Sequence, residues 1–84
     1  MINPALASEA VSLMMGDRMA THGDPTETLT RIAQMWSGYL GHEVSARDCA
    51  QMMVLVKVAR SVHAYDRDHY VDAVAYTLLA ESLA

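Results

Sequence analysis

A chain of 84 residues that is 52% hydrophobic, with seven methionines and a net charge of −4, makes one small domain over 1–84, near the size at which a lone core supplies only about 3–5 kcal/mol. The acidic balance and six scattered Lys and Arg residues exclude a nucleic-acid binder working through the phosphate backbone. The single cysteine, Cys49, excludes an internal disulfide and a cysteine-based zinc site. No secretion signal and no apolar run of membrane-spanning length is present, so a cytoplasmic protein without membrane contact is expected.

Asn3 followed by Pro4 places an N-cap and an N1 proline at the head of a first helix, 4–15, which Gly16 stops. Residues 17–23 form a polar connection. Asp24, Pro25 and Glu27 repeat the start signal, with Glu27 at N3 to close a variant of the capping box. The second helix, 25–40, carries Leu29, Ile32, Ala33, Trp36, Tyr39 and Leu40 as an apolar stripe, and Gly41 stands just past its end. Ser45 and Asp48 open a third helix, 46–62, with Val44 set to staple against Cys49. Its segment 49–59, CAQMMVLVKVA, is apolar on two sides, which predicts the central helix of the domain or one covered by a second subunit. Asp66 caps a fourth helix, 67–83, with Tyr65 and Tyr70 placed as its staple. The fold expected is all-α: a small four-helix domain around a central antiparallel hairpin of the third and fourth helices, completed by oligomerisation.

Self-association follows from composition, because so small a body cannot easily hide this much apolar material and a subunit interface supplies the missing burial. The methionines are expected to fill an irregular core, with an adaptable partner surface as the alternative. Cys49, in an apolar helix, is expected to be a core filler.

Ionic groups inside the hairpin need an explanation, since an unpaired ion there costs several kcal/mol. Equal rise from a turn centred on Ala64 and Tyr65 sets Lys57 opposite Asp72, and Arg60 near His69, beside Asp68 and Asp72. Lys57 and Arg60 share a face at i,i+3, Asp68 and Asp72 at i,i+4, and Tyr76 lies one turn beyond Asp72. Two cations and two carboxylates therefore converge on one polar seam. The seam serves either as a brace that sets helix register or as the floor of a pocket. In a pocket, Lys57 and Arg60 hold a phosphate, and Arg18 folds over the end of the bundle to complete an anion cradle. A metal is not expected; Asp68 and Asp72 are the only candidates, and two carboxylates alone make a weak site.

His22, His42, His63 and His69 match no zinc spacing and are expected to be exposed or capping. The chain has no glycine-rich phosphate loop, nucleophile elbow or HExxH motif. The enzyme question therefore leans toward no.

Gly16-Asp17-Arg18, His22-Gly23-Asp24-Pro25 and Trp36-x-x-Tyr39-Leu40-Gly41, followed by Met52-Met53, Lys57-x-x-Arg60, Asp68 and Val71-Asp72 ahead of Tyr76, resemble a small family of bacteriophage and prophage proteins of unknown function. The resemblance covers nearly the whole chain and implies a phage-genome origin, an accessory role and residence in the host cytoplasm. More distantly, the last two helices are similar in layout to the MazG-like all-α nucleotide pyrophosphohydrolases. Those bind magnesium with an E-E-x-x-E block on one helix and E-x-x-D on the next. Here Asp68 and Asp72 stand at the wrong spacing, and Lys57 and Arg60 occupy the place of the first block.

The function expected is therefore a phage-type accessory protein that works as a homo-oligomer by binding. Its target is a phosphorylated small molecule or nucleotide at the Lys/Arg/Asp seam, or a host protein. No cofactor is expected. The alternatives are a MazG-like pyrophosphohydrolase using Mg²⁺, and a purely structural helical interaction module.

Overall fold

Each helix starts where a side chain accepts from backbone N–H groups that the helix itself leaves free. In the computed structural model, which describes residues 1–16 and 23–84, helix α1 spans Pro4–Met15 with the Asn3 side chain accepting from Ala5 N–H at 3.1 Å. Helix α2, Pro25–Leu40, begins with Asp24 accepting from Thr26 N–H at 2.9 Å. Helix α3, Ala46–Ser61, carries a closed capping box: Ser45 Oγ accepts from Asp48 N–H at 3.0 Å, and Asp48 Oδ2 accepts from Ser45 N–H at 3.2 Å. Helix α4, Arg67–Ser82, opens with Asp66 accepting from Asp68 N–H at 2.9 Å. The box expected at α2 is not closed. Asp24 bonds the N2 amide instead of N3, and the Glu27 carboxylate stays exposed in the first turn, where the positive helix end favours it.

The connections are equally local. Gly41 terminates α2 at φ 76°, in the left-handed region, and its N–H donates to the Ser37 carbonyl at 3.0 Å. The Ser37 hydroxyl accepts from Val44 N–H at 2.8 Å and donates to the Val44 carbonyl at 3.2 Å. That double bond pins Val44 in the core beside Cys49, its staple partner. Between α3 and α4 the rings of Tyr65 and Tyr70 meet at 5.9 Å, as the staple requires.

The described residues form an all-α arrangement around the α3–α4 hairpin, with α1 docked on α4 and α2 docked on α3. One side of α4 buries Leu79 and Ala80 against Leu29 and Ala33 of α2 and Cys49 and Ala50 of α3. Another buries Val71 and Ala75 against Ala10 of α1. The Arg67 guanidinium pairs with the Glu9 carboxylate and ties α1 to α4. α3 lies between α2 and α4, but only part of it is covered: Leu55, Val58 and Val62 on its far side are exposed. Small residues allow the close packing: Ala10 and Ala75 share one cluster between α1 and α4, and Ala33 and Ala50 share the other, where α2 meets the hairpin. The methionine expectation is corrected. Met14 and Met53 are half-buried, whereas Met1, Met15, Met35 and Met52 are exposed, and the core is built mainly of alanine, valine, leucine and Cys49. No helix among the described residues is long and apolar enough to cross a membrane.

Candidate functional site

A short turn forces α3 and α4 to run antiparallel, and equal rise then sets residues equidistant from the turn face to face. Lys57 and Asp72 are such a pair. Lys57 Nζ lies 3.1 Å from Asp72 Oδ2, and the two side chains are only 13% and 14% exposed. For ions this shielded the pairing offsets part of the desolvation cost that each carries.

The rest of the expected seam does not assemble around them. Arg60 and Asp68 are exposed, and among the described residues neither enters an ion pair. Both stand within the last or first turn of their helices, where side chains extend past the hairpin into water. Of the four charges of the expected seam, Lys57 and Asp72 are the two brought together among the described residues. A cation at Asp68 and Asp72 would also have to displace the Lys57 ammonium, and among the described residues no three His, Cys, Asp or Glu groups converge as a metal site. Arg18 and His22 lie outside the described residues. His42 and His63 are exposed, while His69 is half-buried with Nε2 3.9 Å from Asp66 Oδ2.

A cavity of about 580 Å³ lies where the end of α1 and the start of α2 meet the middle of the hairpin; neither Lys57 nor Asp72 is among its walls. Met14, Pro25, Thr28, Ile32, Met53 and Tyr76 are among its walls. Met53 stands one turn before Lys57 on α3, and Tyr76 one turn after Asp72 on α4. The ion pair therefore continues the two helix faces that line the cavity. Tyr76 was picked out by its spacing from Asp72. Met53 carried a similar signal at i−4 from Lys57, whereas nothing local in Pro25, Thr28 or Ile32 marks them as walls. Chemically, the site combines apolar walls, one phenol and one shielded ion pair. Cys49 is fully buried, and burial first, then the neighbouring Asp48 carboxylate, pushes its thiol above the ordinary value. It is a core residue and supplies no nucleophile.

Comparison with known proteins settles the family on residues 5–84, which match the model of DUF6378, a domain of unknown function. The chain belongs to the DUF6378 family. It is 35% identical over 83 residues to the Gene 55 protein of Mycobacterium phage D29, covering 98% of this chain and 55% of that protein. It is 33% identical over 81 residues to the Gene 55 protein of Mycobacterium phage L5, covering 94% and 52%. The chain thus spans about half the length of these curated relatives. The resemblance to a small phage family of unknown function stands. No solved structure matches the chain.

Proposed function

We propose that this DUF6378 chain is a phage accessory protein that works by binding a small phosphorylated ligand of the nucleotide class in the cavity one turn from Lys57 and Asp72. The observation that carries the reading is the continuity of an ion pair, shielded from water at 3.1 Å, with the Met53 and Tyr76 walls of a cavity of about 580 Å³. That volume falls within the roughly 300–1,000 Å³ of small-molecule sites, which combine mostly apolar walls with a few placed polar groups. The thioether of Met53 and the ring of Tyr76 suit the flat face of a base. The Lys57 ammonium has three donors, and Asp72 takes one, which leaves two for a phosphate. Arg60, exposed one turn further along α3, offers positive charge to a longer phosphate chain. The brace reading has the same ion pair in its favour but leaves the cavity one turn away without a role.

The test is a thermal-shift and calorimetric screen of nucleotides with and without magnesium. A ligand at a hundred times its Kd raises stability by about 2.7 kcal/mol, and Lys57→Met abolishes that shift. No shift with any nucleotide at millimolar concentration ends the reading. Magnesium-dependent pyrophosphate release would replace simple binding by hydrolysis of the MazG-like kind.

A further inference from the structure

The outer face of the α3–α4 hairpin is bare of charge over three turns. Met52, Leu55, Val58 and Val62 are 40%, 66%, 54% and 83% exposed, and their spacing of three and four residues puts them on one side of α3. Ala59 lies between them, and the rings of Tyr65 and Tyr70, after the end of α3, are exposed as well. Soluble helices normally turn polar residues outward, and this face carries none from Met52 to Val62.

The quantity of exposed surface says what covers it. The chain exposes 5949 Å², whereas a folded monomer of 9.2 kDa exposes about 4,900 Å². Its radius of gyration is 13.5 Å, against about 11.8 Å for a closed domain of this length. The surplus of roughly 1,000 Å² is close to the ~800 Å² that each partner gives to a standard interface. Among the described residues the largest side chains wholly buried are Val71 and Cys49, so the core of a single copy is built of small residues.

We infer that a second copy of this chain docks on the Leu55–Val58–Val62 face, pairing the two α3 helices antiparallel about a two-fold axis. A two-fold contact must be self-complementary, and this face is. Centred between Leu55 and Val58, equal rise sets Leu55 of each copy against Val58 of the other, and Gln51 against Val62. Two hairpins then close as a bundle, each burying the apolar strip of the other.

Sedimentation equilibrium of the 84-residue chain gives the dimer mass, and Leu55→Glu with Val58→Glu gives the monomer with helical content unchanged. A wild-type monomer at millimolar concentration overturns the inference, as does a double variant that stays dimeric. Should the double variant fail to fold, mixed Leu55→Cys and Val58→Cys chains serve instead. They cross-link on oxidation while Met35→Cys on α2 does not, and Cys49 stays out of the reaction because it is buried. A dimer that fails to cross-link at 55 and 58 overturns the assignment of the face.

Discussion

The Lys57 ammonium meets the Asp72 carboxylate at 3.1 Å, across two helices joined only by a short turn. Both residues interrupt apolar runs, and each answers the desolvation cost of the other. Replacing Lys57 by Met takes away the ammonium from a carboxylate that is 14% exposed, which lowers stability by about 1–3 kcal/mol. Lys57→Met with Asp72→Leu costs less than the two single losses added together, because the two side chains interact directly. Urea titration at fixed protein concentration checks both. Additive losses would show that the two side chains are not coupled.

Two glycines of the α2 region respond in opposite directions to the same change. A Cβ at Gly41 meets no atom within 4 Å, yet φ is 76°, so Gly41→Ala costs about 1 kcal/mol through backbone strain alone. Gly38 sits inside α2 with equally open space and no positive φ, so Gly38→Ala stabilises by about 0.5–1 kcal/mol. In a domain of this size each kcal/mol moves Tm by about 4–8 °C, which calorimetry resolves.

Two serines hold the entry to α3. Ser45→Ala opens the capping box with Asp48 and costs about 1 kcal/mol, while Ser45→Thr keeps most of it. Ser37→Ala removes both bonds to the buried Val44 backbone and costs about 1–3 kcal/mol. Chemical denaturation of the two alanine variants ranks them, with Ser37 the costlier because the groups it leaves are the less exposed.

Burial of Cys49 has a signature in pH. Its folded pKa lies above the unfolded value, through desolvation first and the Asp48 carboxylate second. Above the unfolded value, about 8.5, the unfolded chain has lost this proton while the folded one keeps it. Stability therefore falls as pH rises through that window, by at most about 1.4 kcal/mol per unit. Below it the contribution is fully present. Unfolding midpoints at pH 7 and 9.5 should diverge more for the wild type than for Cys49→Ala. A thiol reagent at pH 8 should modify the native chain no faster than it opens.

Site contacts legible in the sequence were those that depend on one helix or one turn. Lys57 could be matched with Asp72 because a short turn and a common rise leave little freedom in register. Arg60 and Asp68 defeated the same counting, since side chains in terminal turns choose between the seam and water, and water is the cheaper surrounding for a long charged group. Met53 and Tyr76 inherited their places from the ion pair. Pro25, Thr28 and Ile32 became cavity walls through the docking of α2 against the hairpin, which no local pattern encodes.

From the chain of residues alone came the helices, their caps and the pairing of the hairpin, for a physical reason: N–H groups at helix ends are satisfied by side chains only a few residues away. The tertiary structure alone decided that α1 docks on α4 and α2 on α3, that the α3 strip faces outward, and that a cavity opens one turn from Lys57, at Met53. Those outcomes depend on which apolar face wins a neighbour when several are available. That competition is settled by the sizes of residues far apart in sequence, such as Ala10 and Ala75 in one cluster and Ala33 and Ala50 in the other.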